Sequence, residues 1–261
     1  MPRTQGTLAL SSKSVGRGSG IDRFRTSGAL KALFPRGHGV QAIMINTSGG
    51  LTGGDRLSIK ATAGTNSHMT LTTQAAERAY RAKDGHATMD SHLTVATGAS
   101  LHWMPQELIL FDGARLYRSL HVALEADAKF LMVEPVIFGR TAMGEVLRDV
   151  EFKDKIRVSR AGSPLYYDGT HLSGDVAAQL TGPAVSAKAG AMVSLLYVAP
   201  DAQSHLPAVR GLLPQTGGST LLAPDVLALR CVTSDSHTLR TSLLPILDRL
   251  SGDGLPTSWR L

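Results

Sequence analysis

Two Gly-Gly pairs, Gly49-Gly50 and Gly53-Gly54, flank Leu51-Thr52 and run into Asp55. Glycine adopts positive φ without steric penalty and lets a second backbone or a ligand come close. Such a loop could cradle a phosphate, or hold Asp55 as a contact for a metal or a partner. The phosphate reading fails, because no Lys-Ser/Thr follows the glycines and the spacing is not G-x-G-x-x-G. A tight strand connection remains as the simpler reading, with Asp55 keeping a functional one open. The nine histidines form no H-E-x-x-H and no close H-x-H pair. His86 and His92 fall on one strand face, but six extended residues separate them by about 20 Å, too far to share a metal. They read as solvated strand histidines. No G-x-S-x-G elbow is present, and the single cysteine, Cys231, lies in the apolar run Val226–Val232, where a buried, inert thiol is expected. Glu134 and Glu145 bracket Gly139-Arg140-Thr141-Ala142-Met143-Gly144. Either could pair with Arg140 or Arg148.

The elements that must position these residues are mostly strands. Between turn signals the dominant period is two. From Ala87 to Val95, positions 87, 89, 93 and 95 are apolar while Thr88, Asp90, His92 and Thr94 face the other way. Leu116 to Leu124 repeats this with Leu116, Leu120, Val122 and Leu124. Val150, Phe152, Ile156 and Val158 form a third stripe, interrupted by Asp154. Phe130-Leu131-Met132-Val133 is continuously apolar, as expected of a strand covered on both faces, with Glu134-Pro135 ending or bending it. Thr7–Leu10 alternates like a strand, and Gly16–Gly20 reads as a turn or loop. Helices are few. Thr73 could cap one over Gln74–Arg81, a short one is expected around Leu206–Leu213, and Leu239, Leu243, Ile246, Leu247 and Leu250 mark a C-terminal helix capped by Asp235 or Ser236. Pro245 should kink or split it.

Composition bounds the rest. Hydrophobic residues are 43% and charged residues 18% of 261, which excludes disorder and coiled coil. Glycine and proline at 27 and 12 favour many turns. One cysteine excludes an intramolecular disulfide and a multi-cysteine zinc site. No apolar stretch approaches the roughly 18 residues of a membrane span, and no apolar signal core is visible, so a cytoplasmic protein is expected. The net charge of +6 suits acidic partners, but it is spread along the chain too evenly to mark a nucleic-acid stripe. The expected architecture is one domain over residues 1–261, mainly β, with many short strands in crossed or stacked layers and about two helices, one of them C-terminal.

Taken in order, Gly28–Pro35, the Asn46–Leu57 glycine loop, Leu71–Arg81, Trp103–Arg115 and Glu134–Glu145 resemble the urease accessory protein D family (UreD, or UreH) along nearly the whole chain. After about Tyr167 the match is looser, through the Leu227–Arg230 strand, the final helix and Trp259-Arg260. The resemblance implies a non-enzymatic maturation chaperone that binds apo-urease. A UreF-type helical protein would bridge it to a UreG-type GTPase that delivers nickel. No cofactor would be tightly bound; nickel would be cargo in transit through an internal passage. Asp55, Glu134 and Glu145 are the candidate contacts along it, because oxygen ligands hold nickel weakly enough for transit. A β-rich metal-dependent hydrolase and a generic β interaction scaffold are the alternative readings.

Overall fold

Alternation with period two leaves each strand with one apolar face. A chain that turns back every few residues can bury those faces by laying its strands in two sheets packed face to face, and stacked coils are one way to do so. A computed structural model of the chain has this arrangement; it describes residues 3–36, 39–140, 143–252 and 254–260. The first sheet contains, in spatial order, β14 (Ser163–Gly174), β13 (Val150–Arg160), β11 (Arg115–Leu124), β8 (Ala87–Val95), β5 (Arg56–Ala63), β1 (Gln5–Val15) and β2 (Gly18–Gly28). The second runs β16 (Gly217–Ala223), β17 (Val226–Thr233), β15 (Ala191–Val198), β12 (Lys129–Phe138), β9 (Ser100–Met104), β6 (His68–Thr73), β4 (Val40–Asn46) and β3 (Leu30–Leu33). From β4 to β13 the long strands pass alternately between the sheets, and the inner strands of each pair in parallel: β1, β5, β8, β11 and β13 in the first, β4, β6, β9 and β12 in the second. The mainly β, stacked-layer expectation therefore holds, in the form of solenoid-like coils. Antiparallel hairpins, β1–β2 and β13–β14, flank the parallel part of the first sheet.

The larger core fills the space between the sheets, with Leu8, Leu57, Ile59, Leu93, Leu116, Leu120, Phe130 and Phe152 among its buried members. A second core lies on the far face of the second sheet, under α2 (Ala202–Leu212) and α3 (Ser236–Ser251), with Trp259 at its edge. Strands β12 and β15 therefore have apolar contacts on both sides, which accounts for the unbroken Phe130–Val133 run. A short helix, α1 (Val176–Leu180), follows β14.

Four sequence expectations need correcting, the first being that the turn expected over Gly16–Gly20 is confined to Gly16-Arg17, with Gly18–Gly20 already paired in β2. Residues 74–81 are not a helix: the Thr73 hydroxyl donates to the Ala75 carbonyl instead of capping, and β7 (Glu77–Ala79) pairs in parallel with β10 (Leu108–Leu110). Pairing with the next coil satisfies that backbone, overriding local propensity. Pro135 does not end β12. Its parallel neighbour changes there, from β9, which pairs as far as Met132, to β10, which pairs from Val136. A residue without an N–H is tolerated at that gap in the ladder. Pro245 does not split α3, which runs unbroken from Ser236 to Ser251. Both Pro245 and Thr241, whose carbonyl loses its helical donor, are exposed, so water can take the missing bond. Asp235 caps this helix by accepting from the Thr238 N–H at 2.8 Å, and Gly252 ends it with φ +60°.

Candidate functional site

Four of the five blocks that carried the resemblance, all but Gly28–Pro35, converge on one corner of the solenoid. Leu51 of the glycine loop bridges to Ala79, β7 pairs with β10, and β10 pairs with the end of β12. The Leu51 N–H donates to the Arg78 carbonyl and the Tyr80 N–H returns to the Leu51 carbonyl, both at 2.7 Å. The Phe111 N–H donates to the Ala79 carbonyl at 3.0 Å and the Gly139 N–H to the Leu110 carbonyl at 2.9 Å. Successive turns of the chain thus rest on one another here, and the glycines are what this requires. A Cβ on Gly53 would lie 2.1 Å from the Asp84 carbonyl oxygen, and one on Gly50, where φ is +152°, 2.4 Å from the Tyr80 ring. The glycine loop is a tight coil-to-coil connection.

Asp55 sits beneath this loop at 4% exposure. One carboxylate oxygen accepts from the Thr4 N–H and the other from the Thr52 N–H, each at 2.8 Å. It ties the first strand to the loop. Replacing Asp55 with Ala removes two charge-assisted bonds and leaves two donors without their acceptor; the expected loss is about 2–3 kcal/mol in urea unfolding, with Asn retaining part of it.

Glu145 lies at the open side of the corner. Arg140 grips it with Nε at 3.0 Å and Nη2 at 3.2 Å, and its hydrogen bonds with that arginine hold its carboxyl below the ordinary range. It lines a cavity of about 600 Å³ together with Tyr80, Arg81, Phe111, Asp112 and Arg148. The Arg140 guanidinium stacks 4.5 Å from the Phe111 ring centroid, and Tyr80 meets the same ring at 4.9 Å. Burial alone would raise the Asp112 carboxyl, but the Arg148 and Asp149 N–H groups and the Arg81 guanidinium outweigh it and hold it low. Thr141 and Ala142 lie outside the described residues.

Glu134 is elsewhere, in the core between the sheets. Arg118 of β11 points inward to meet it, with Nη1 2.6 Å from Glu134 Oε2 as an ion pair outside hydrogen-bond angles. The same guanidinium donates to both oxygens of Asp154 on β13, at 3.0 and 2.5 Å. The Trp103 indole N–H donates to Glu134 Oε1 at 2.5 Å, and Phe152 lies under the guanidinium at 5.9 Å. Burial pushes the Glu134 carboxyl up, against the pull of Arg118, while the two carboxylates raise the Arg118 pKa further. The triad was missed in the sequence although its mark was there. Arg118 and Asp154 each occupy a position on an otherwise apolar stripe.

The three candidate carboxylates therefore occupy different settings: Asp55 under the loop, Glu134 in the core triad, and Glu145 at the cavity. Among the described residues, no group of three or more His, Cys, Asp or Glu is arranged to hold a metal ion. Cys231 is buried as expected, and burial raises its thiol pKa. What the corner presents outward is Tyr80, Met143 and Val146, at 40%, 74% and 46% exposure, beside Arg81 and Arg140. Aromatic, methionine and arginine side chains grouped this way are typical of protein interfaces.

The UreD urease accessory protein family model matches residues 4–259. A urease accessory protein UreD of Roseobacter denitrificans is 49% identical over 262 residues, covering 100% of this chain and 96% of the relative. That of Ruegeria pomeroyi is 46% identical, covering 97% and 100%, and that of Agrobacterium fabrum 37%, covering 99% and 92%. With a match this long and relatives this similar, the chain belongs to the UreD family of urease accessory proteins.

Proposed function

We propose that this protein is a cytoplasmic, non-catalytic maturation chaperone that binds apo-urease and, with a UreF-type protein and a UreG-type GTPase, supports nickel insertion. The observation that carries the reading is the family match over residues 4–259. The corner where the family-like blocks meet supports it. Its carboxylates are engaged by arginines and backbone donors, as in a frame for recognition, and its outward side chains suit a protein partner. Nickel, in this reading, is cargo. Of the three candidate carboxylates, Glu145 alone lines the open cavity, and in this reading it would have to leave Arg140 to meet a passing cation, while Asp55 and Glu134 hold the surrounding coils.

The test is co-expression with apo-urease and the two accessory proteins, followed by capture of the complex and urease assay after nickel, bicarbonate and GTP. Wild type is expected to bridge the components and to be required for activity. Met143→Asp is expected to reduce capture at least tenfold with an unchanged unfolding midpoint, because Met143 is 74% exposed and the substitution puts a charge into the apolar part of the contact. Glu145→Gln is expected to leave capture intact and slow activation. Activation that proceeds equally without the chain would overturn the proposal.

A further inference from the structure

Basic residues that lie far apart in the sequence, Arg25, Lys60 and the pair Lys155 and Arg157, share one surface once the strands pair. On the outer face of the first sheet, register aligns Arg25 with Ala9, Ala9 with Lys60, Lys60 with His92, His92 with His121, His121 with Arg157 and Arg157 with Tyr167. This row crosses all seven strands, perpendicular to them, and at about 4.8 Å per strand it is roughly 29 Å long. Arg25, Lys60, His92, Arg157 and Tyr167 are exposed and His121 half-buried. Lys155 stands one row away. Elsewhere on the sheet Arg115 pairs with Asp149 and Lys153 with Glu151. Among the described residues, Arg25, Lys60, Lys155 and Arg157 have no carboxylate at ion-pair distance.

At the β8–β14 end the row opens into a cleft of about 480 Å³ bounded by His92, His121, Arg157, Tyr166 and Tyr167. The two imidazoles are stacked, with centroids 5.0 Å apart and planes at 9°, and the Arg157 guanidinium lies 5.7 Å from the Tyr167 ring centroid. Desolvation first, then the positive fields of His92 and Arg157, lower the His121 pKa, against a weaker upward pull from Asp90. An anion is what such a cleft lacks. Ala123 and Pro164 give it apolar flanks, which suit side-chain methylenes better than a sugar–phosphate chain. Nucleic-acid sheets also stack several bases on aromatic side chains, whereas this row carries one tyrosine.

We infer that the outer face of the first sheet docks an acidic segment of a partner protein, with one carboxylate seated in the His92–His121–Arg157–Tyr167 cleft and further carboxylates along Lys60 and Arg25. This face is distinct from the Tyr80–Glu145 corner, and the inference stands apart from the urease reading. Docking would favour the charged imidazoles. The groups facing them are Lys60 on β5, Asp90 on β8, Lys155 and Arg157 on β13 and Tyr167 on β14, so a seated carboxylate changes a field that is otherwise mostly positive.

The experiment uses the full chain with a decaglutamate peptide, a ten-nucleotide oligothymidylate and inorganic phosphate at matched ionic strength. The peptide is expected to bind, to raise the His121 titration midpoint followed by imidazole NMR, and to lose at least tenfold in affinity in Lys60→Ala/Arg157→Ala. Since NMR on wild type needs no variant, a poorly folding double mutant leaves the titration to decide. Absence of peptide binding, or binding that leaves the His121 midpoint unmoved, overturns the inference. So does equal or tighter binding of the oligonucleotide, which would make this a nucleic-acid face, or the same His121 shift with phosphate alone, which would make it a small-anion site.

Discussion

Replacing Arg118 with methionine is expected to destabilise the protein by about 3–5 kcal/mol, because it leaves Glu134 and Asp154 facing each other in the core with no cation between them. The side chains of all three are nearly out of water, at 10%, 5% and 8% exposure, so solvent cannot take over the role of the guanidinium. The reverse design makes the test sharp. A triple variant, Arg118→Met with Glu134→Gln and Asp154→Asn, removes the charges together and should recover most of the loss, since a buried ion triad as a whole contributes little beyond a neutral replacement. Urea unfolding of the single and triple variants decides it. A loss under about 1 kcal/mol in R118M, or an equal loss in both, would mean that the three groups are not energetically coupled.

Replacing His102 with leucine is expected to make the protein less sensitive to acid. At 7% exposure His102 lies on the far face of the second sheet, its ring edge-on to His68 with centroids 4.8 Å apart. Burial, and secondarily His68, push its pKa down to about 3 from an ordinary 6.5. The folded value is the lower one, so below pH 6.5 the unfolded chain takes up a proton that the folded chain refuses. The stability is whole above pH 6.5 and is lost as pH falls toward 3. At about 1.4 kcal/mol per pH unit, this one group removes roughly 3 kcal/mol by pH 4. His102→Leu should therefore show a shallower fall in thermal midpoint between pH 6.5 and 4 than wild type. An unchanged slope would assign the acid sensitivity to other groups.

Much of the fold was legible because half-buried strands write their faces into the sequence. Ala87–Val95 is β8 to the residue, and the Leu116–Leu124 and Val150–Val158 stripes are β11 and β13. The C-terminal helix followed from its Leu239–Leu250 spacing and its Asp235 cap. The pairing direction was not legible, since alternation reads the same in parallel and antiparallel strands. Residues 74–81 misled because a three-residue strand carries no period of its own, and its partners, Leu51 and Leu108–Leu110, lie some thirty residues away in either direction. At the site, the meaning of Asp55 and the glycines was half visible: the loop announced a sharp turn, but not that a neighbouring coil would fill the space. The histidines show the same limit. Spacing along the chain tested His92 against His86, whereas its neighbour is His121, one strand across.

The stacking of parallel coils also dictates how the chain must assemble. Gln5 pairs with Arg56, Arg56 with Thr88 and Ala87 with Leu116, so each new rung forms only after a loop of roughly thirty to fifty residues has closed. Each closure carries a similar entropic penalty, and none is rewarded until the preceding rung is in place. Among the described residues, the β1–β2 and β13–β14 hairpins are the parts of the first sheet that can zip up locally, which makes them the natural starting points, with rungs added inward from either end. Until the middle rung closes, a nascent molecule carries a bare parallel strand at its growing front, the kind of edge that captures another copy of itself. Dilution, low temperature or a companion chain present during synthesis should therefore raise the yield of native protein more than any change to the finished structure.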